Sequence, residues 1–569
     1  MLQKIIFLIT LCTLIFFQGK ILLPGATMFD FHDITQPARI SEFSYNISHF
    51  EIPPRIAPHF SHNLGYPVFN YYAPFSYWVT SAIHLLGFDI ADALKVSFLL
   101  AICIAFVGMF LMLKRFFTFF PSLLGATLYA TSPWIAVEIF VRGNIGEVWF
   151  IALFPLALYA FIQNTKSNSR FFFVITVLLI SATLTVHNVF SLAFLPCAFL
   201  FSLILKKPKK NLFALALAML LSAYFLLPAV LELPLTYAKE IAQKTQYQDH
   251  FLCLWQLWKT KIWGFGGSAP GCENDGMSFM LGKIPDILGI LGITVFVVQT
   301  LLRKKIRFFS VFLFFTSLTI LTAYLTLYEA SSVWKSFSSV LSLFQFPWRL
   351  LAFTLFGLAV MSAYGVSQLK FKIVPFTLII IAFLSIITNA KYFTKSTMAK
   401  SVFLSTTTSS QFISQSVVYY IPEYVPKTVN YNAWLLLNPQ STQAARIKNT
   451  VAIPDSRFIT LDGKKSTPTK NNPYEAVTIT ESESVIINIH SFPFWKILVN
   501  GKLVETKPTL DSLGRPKLSL QPGEKTIQVK YEQTPLEKTA DGITLFSYGI
   551  LMLLIAKVTL WKKILHILN

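Results

Sequence analysis

The sequence predicts a polytopic α-helical membrane protein of about 12 spans carrying a C-terminal extracytoplasmic β-sandwich, and three observations predict it. Composition is the first: of 569 residues, 54% are hydrophobic and only 13% charged, with a mean hydropathy of +0.57. An average soluble protein has about a quarter of its residues charged. The second is a series of twelve apolar runs, each long enough to approach the ~20 residues that cross a hydrocarbon core of about 30 Å. The third is a change of pattern near the C-terminus, where alternation of polar and apolar residues replaces the long runs.

In chain order the runs lie at 4–23, 92–113, 120–137, 147–163, 171–187, 189–205, 211–231, 285–302, 308–327, 348–367, 372–389 and 541–560. The first is read as a retained span rather than a signal peptide, because apolar sequence resumes at Ile21 and no small-x-small cleavage site follows. The stretch 74–88, shorter and carrying His84, is read as an amphipathic helix in the interface.

Charge distribution tests the count, since an error of one span would invert every later loop. With the N-terminus inside, Lys4, the loops at 114–115, 166–170, 206–210, 303–307 and 370–372 and the tail at 557–563 hold 18 basic residues and no acidic one. All 27 Asp and Glu fall on the outer side, nearly balanced by the remaining Lys and Arg. The net charge of +21 is therefore a topology signal and not a nucleic-acid footprint. Both termini are expected in the cytoplasm of a bacterial inner membrane, with outer segments at 24–91, 138–146, 232–284 and 328–347 and a large outer tail.

That tail, 390–540, contains VIINIHSF, WKILVNGKLVE, PKLSLQPG and KTIQVKYE, with turn chemistry at Asn500-Gly501 and Pro522-Gly523. It reads as a small β-sandwich, preceded by a Ser-, Thr- and Tyr-rich connector at 400–440. The domains are thus 1–389, 390–540, and a final span with cytoplasmic tail at 541–569. Five cysteines without a CxxC pair exclude a disulfide framework or zinc ribbon. Cys253 and Cys272 are the outer cysteines and are candidates to pair.

Polar chemistry collects in the outer loops, where there is no ATP or nucleotide sugar, so a transferase there must draw on a lipid-linked donor. The first loop reads MFDFHDITQPARISEF, FEIPPRIAPHF and NLGYPVFNYYAPFSYW. An acidic residue just after the first span, an in-plane helix and a Pro-rich aromatic turn resemble the GT-C class of membrane glycosyltransferases. More closely, HDITQPARI, PPRIAP, GYPVFNYYAP, VRGNIGE, VHN, LLPAVLE, WGFGGS and FQFPWR resemble a bacterial membrane family labelled 6-pyruvoyl-tetrahydropterin synthase-related and linked to YfhO-like proteins. The resemblance implies a GT-C-like fold over 1–389 and transfer of a sugar from a polyprenyl phosphate to an envelope glycan, lipid or protein.

Such transfer needs a base for the acceptor hydroxyl and hydrogen-bond donors for the leaving phosphate. Asp33 matches the position of the class's acidic residue, with Asp30 as fallback or second carboxylate; a helix N-cap is the alternative for Asp33. Arg142 in VRGNIGE and Arg349 in FQFPWR stand at outer span ends and suit phosphate binding, and Glu147 beside Arg142 is a further substrate-binding candidate. For Arg142 the alternative is a pair with Glu138, and for Arg349 snorkelling beside Trp348. Arg39 and Arg55 in the first loop, and His187 at another span end, complete the substrate-binding candidates. His49, His59 and His62 lack metal-ligand spacing, so no zinc site is expected there; the sequence names no certain cofactor and leaves a divalent metal open. Two readings from other classes remain open: a non-catalytic envelope-assembly protein that binds lipid-linked glycans, and a lipid or polysaccharide transporter. Scarcity of charge at the span centres weighs against the transporter.

Overall fold

The computed structural model describes residues 1–242, 246–260, 267–273, 275–438, 456–504 and 509–568, with side chains described as far as 556. Each of the twelve apolar runs coincides with a helix or a broken helix. Length separates them: seven are long and apolar enough to cross a membrane, or up to eight if the bent pair Pro208–Leu221 and Ala223–Leu231 counts as one. Among the described residues this count does not confirm the expectation of about 12 spans. Four runs form shorter helices, Leu2–Gln18, Arg170–Leu184, Asn188–Ile204 and Phe309–Leu325. Apolar composition continues past the points where their backbones turn, which a hydropathy count does not register. The bent pair turns by 69° at Ser222, whose hydroxyl donates back to the Ala218 carbonyl.

Burial sets three of the seven against three others, with Ile90–Leu113 between them at 56%. Phe119–Arg142, Ile145–Lys166 and Pro347–Ser367 are 89–100% buried along their apolar windows, whereas Lys283–Leu301, Val374–Phe393 and Pro535–Ala556 are 22–28% buried. The first set forms the middle of the bundle; the second presents Leu, Ile and Phe outward, as lipid contact requires. Glu147 and Lys166 end the same 22-residue helix, about 30 Å apart. Around Lys166, Lys210 donates to the Asn164 and Ser167 carbonyls and Arg115 to the Tyr159 hydroxyl, while Lys166 itself lies over the Phe308 ring. The basic loops named from the sequence therefore gather at one end. Around Glu147 gather the loops read as outer, and the 24–91 segment lies across them.

That segment contains a juxtamembrane helix, Gln36–Ser48, with Pro37 in its first turn, and an 11-residue helix, Phe75–Leu85, in the stretch read as interfacial. Thr27–Met28 pairs with Met398–Ala399, fastening the start of the loop to the start of the tail. Buried residues of 393–434, including Phe403, Val417 and Trp434, join the main helical core. Strands run from Phe458 to Tyr531 in two antiparallel sheets, one of four strands and one of five. Their inner faces, among them Val485, Ile487, Leu518, Ile527 and Val529, form one separate core with Ile56 and Tyr71 of the first loop. Lys525–Tyr531 alternates buried and exposed along its length. Asn500 and Gly501 both have positive φ, 51° and 76°, and close the hairpin between Trp495–Val499 and Lys502–Leu503. Cys253 and Cys272 are joined in a disulfide.

Candidate functional site

Three buried helix ends and the first loop meet at the end of the bundle away from the basic loops. The helix reaching Arg142 finishes in a π-type turn, Val137–Arg142, which stops at Gly143 with φ 67°. A side chain at Gly143 would overlap the Phe31 ring, so glycine permits both the left-handed turn and the approach of the first loop. There His32 N–H donates to the Val141 carbonyl and Asp33 N–H to the Arg142 carbonyl, each at 2.9 Å. This pairing brings the HDITQPARI motif against VRGNIGE.

Asp33 is held by side chains: Arg39 Nη2 donates to Oδ1 at 2.8 Å, Gln36 Nε2 to Oδ2 at 2.6 Å and the Thr35 hydroxyl to Oδ1 at 3.1 Å. No side chain caps the helix that follows, so the capping alternative does not describe Asp33. The carboxylate side chain is 25% exposed while Arg39 is sealed at 1%, with its guanidinium 4.3 Å from the Tyr72 ring centroid. Asp30 pairs with Lys395 at 3.1 Å, and Lys395 also donates to the Phe140 carbonyl.

Glu147 is the centre of a second set. Arg142 donates to its Oε1 at 2.7 Å and Arg349 Nε to the same oxygen at 3.0 Å, with Asn144 Nδ2 at 3.0 Å. His187 Nε2 stands 3.7 Å away, and its Nδ1 accepts from Phe190 N–H as a helix cap. Arg142 also pairs with Glu138 and lies over the Trp348 ring. Arg349 continues to the Phe344 carbonyl and Gln345. It is buried, so snorkelling does not describe it. The two arginines that the sequence places about 200 residues apart thus share one carboxylate, while Arg142 is balanced by two.

Arg55 lies apart from both sets. Its guanidinium binds Asp541, Asn70 and the Tyr224 carbonyl, tying the first loop to the last helix in a buried network that continues to Glu232 and Glu537. The three loop histidines also separate: His59 clamps onto Glu42, His49 stacks on Tyr45 and His62 contacts the Tyr419 hydroxyl. The WGFG part of WGFGGS and the side chains of Lys557, Lys562 and Lys563 lie outside the described residues.

Two residues at the site were not singled out from the sequence. His32, between the two aspartates, faces Gly267 of the disulfide-bearing loop; burial, with Lys395 and Arg142 nearby, lowers its pKa against the pull of Asp33 and Asp30. The FHD spacing was its only signal. Glu423, in the connector, lies within electrostatic reach of Arg39 and Asp33; burial raises its carboxyl pKa, and its Oε2 is buried without a hydrogen-bond partner among the described residues. Nothing in IPEY marks it.

Comparison with known proteins gives the following. No curated protein matches the chain. Among solved structures, the arabinofuranosyltransferase AftD from Mycobacteria is similar over 70% of this chain and 27% of its own, at 12% identity and a TM-score of 0.39. The Archaeoglobus fulgidus oligosaccharyltransferase in the apo form is similar over 80% of this chain and 60% of its own, at 12% identity and a TM-score of 0.41. The same organism's oligosaccharyltransferase AglB, in complex with an inhibitory peptide and a dolichol-phosphate, gives the same coverage and identity with a TM-score of 0.40. The chain thus spans about a quarter of the first and three fifths of the archaeal chains. Residues 69–255, a third of the chain, match the family model described as 6-pyruvoyl-tetrahydropterin synthase related domain, membrane protein.

Proposed function

We propose that the chain is a membrane glycosyltransferase that moves a sugar from a polyprenyl-phosphate donor to an envelope acceptor, with Asp33 as the general base. The observation that carries this reading is the asymmetry of the Asp33–Arg39 pair: a sealed arginine fixes a carboxylate whose other side is open. In the step proposed, Asp33 takes the proton as the acceptor O–H bond breaks, and the freed oxygen pair forms the bond to the anomeric carbon. The carbon–oxygen bond to the phosphate breaks with its electron pair staying on the phosphate. Arg39, Gln36 and Thr35 hold both carboxylate oxygens in place before the reaction. His32, next in sequence to Asp33 and within electrostatic reach of Lys395, suits the leaving phosphate better than Arg142, whose charge two glutamates already balance.

The test is transfer by the purified full chain in lipid nanodiscs, with polyprenyl-phosphate hexoses and pentoses as donors and an envelope extract as acceptor. Asp33→Asn is expected to lower turnover roughly 100-fold or more while donor lipid still binds. Turnover at the wild-type rate in Asp33→Asn would remove Asp33 as the base.

A further inference from the structure

A cavity of about 800 Å³ runs along one side of the juxtamembrane helix Gln36–Ser48, between it and residues 408–415 of the connector. Ser41, Tyr45 and Ser48 recur at helical spacing on that side, whereas Arg39, Phe43 and Asn46 turn to the other. The facing wall supplies Thr408, Ser410, Gln411, Ser414 and Gln415. Its floor is Glu42 with His59: His59 N–H donates to one carboxylate oxygen at 2.9 Å and its Nδ1 meets the other at 2.8 Å.

The lining excludes most ligand classes. A lipid chain needs apolar walls, and Leu85 and Ile413 are the aliphatic residues here. A phosphate or other anion needs a cation free to meet it; no Lys or Arg is among the described lining residues, His59 is engaged by Glu42 and His84 by the Phe88 carbonyl. A metal ion needs carboxylate oxygens to spare, and both oxygens of Glu42 are engaged by His59. Hydroxyls and carboxamides that both donate and accept remain, beside a ring cluster in which Tyr45 stacks on His49 at 4.0 Å and meets His59 edge-on at 4.8 Å. This is the complement of an uncharged ligand dense in hydroxyl groups.

The wall is also fixed in advance. Ser61, His62 and Asn63 have φ of 56°, 58° and 62°, three successive residues in the left-handed region that a Cβ disfavours. They are held there by His62 N–H donating to the Ser414 carbonyl and by the Ser61 hydroxyl against His490 of the β-sandwich. The turn locks Asn63 into the cavity wall and fastens the connector to the first loop.

We propose that this cavity binds a neutral glycan and is the acceptor subsite of the transferase, its role as acceptor subsite resting on the function proposed above. Both features belong to one rigid element: Ser41 to Ser48 lie about 8–18 Å along the helix from Gln36, which holds Asp33.

The experiment measures binding without any donor, by saturation-transfer NMR on the full chain in nanodiscs. The probes are short neutral hexose and pentose oligosaccharides, oligouronates and undecaprenyl phosphate. Neutral oligosaccharides are expected to bind the wild type, and Gln411→Trp and Ser48→Trp, both exposed rim positions, are expected to weaken them at least about tenfold without changing the melting temperature. Undecaprenyl phosphate binding should not change in either variant. Failure of every neutral oligosaccharide to bind, preference for oligouronates, or undiminished binding in both folded variants would overturn the site. If neutral glycans bind the wild type and are displaced by both substitutions but no donor supports transfer, the glycan site stands and the transferase reading falls.

Discussion

Two arginine–carboxylate sets stand next to each other at this end of the bundle, and they are sealed in opposite ways. Glu147 is 1% exposed and draws Arg142, Arg349 and Asn144 inward from three helix ends. At Asp33 the arginine is the sealed partner and the carboxylate the open one. A fully enclosed set has no face left for a substrate and acts as a strut between helices. A set open on its acidic side keeps a proton acceptor in reach of solvent while its geometry is fixed from behind. Identical side-chain types therefore serve the architecture in one place and suit chemistry in the other, and exposure rather than residue identity separates them.

Glu147→Ala is expected to have the largest effect on stability. It leaves Arg142 and Arg349 buried beside one remaining glutamate, and breaking a buried pair from one side costs about 3–5 kcal/mol. Thermal unfolding in nanodiscs, followed by tryptophan fluorescence, should show a large fall in melting temperature or no folded protein at all. A folded Glu147→Ala with wild-type stability would mean that the set is open after all, and the contrast with Asp33 would collapse.

The sequence made much of this end legible, for physical reasons that can be named. VRGNIGE and FQFPWR put charges at span ends where lipid disfavours them, so Arg142, Glu147 and Arg349 announced themselves by cost alone. That they share one carboxylate did not follow, because it depends on how helices 200 residues apart pack. Hydropathy located every apolar run, yet it does not sense where a backbone turns; the 69° bend at Ser222 and the short helices are why length alone supports fewer spans than the runs suggested. Arg55 looked like a loop arginine, and its burial against Asp541 is a contact between chain ends that no local pattern encodes. The Asn500-Gly501 hairpin was readable because its φ requirement is local. Glu423 was not, since its significance is only its distance to Arg39.

A buried group with no opposite charge beside it behaves differently from either set. His490 is sealed between the Ser61 hydroxyl and the Leu513 carbonyl, where it must stay neutral; burial pushes its pKa down to about 4. His62, buried nearby, is likewise lowered to about 4. The unfolded chain takes up these protons near pH 6.5, so the stability from neutral burial is present above pH 6.5 and is lost as pH falls from 6.5 to about 4. A loss on the order of 3 kcal/mol from His490 alone is expected across that window, and exchange of amides in 58–64, beside Trp434, should rise with it. His490→Asn should flatten the dependence. An unchanged acid profile in that variant would assign the loosening elsewhere.

Arg349→Lys comes third. Lysine keeps the charge but not the planar fork that reaches Glu147, Gln345 and the Phe344 carbonyl together. The expected loss is about 1.5 kcal/mol, the worth of one charge-assisted hydrogen bond. A loss near zero would mean that the planar fork adds nothing to the Glu147 set.

The smallest effect on stability is expected at Asp33, and it is the most discriminating. The carboxylate already meets solvent on one side, so removing its charge takes away less than a buried ion pair would lose; partly exposed pairs contribute about 1 kcal/mol or less. Asparagine retains an acceptor oxygen for Arg39 and Thr35 and gives up only the second oxygen that meets Gln36. Asp33→Asn should therefore melt within a few degrees of the wild type while losing transfer. If it unfolds as Glu147→Ala is expected to, Asp33 is a second strut and the open face has no chemical meaning. If it melts normally and transfers normally, the base lies elsewhere on the same face, and Asp30, already paired with Lys395 and 46% exposed, is the next carboxylate to replace.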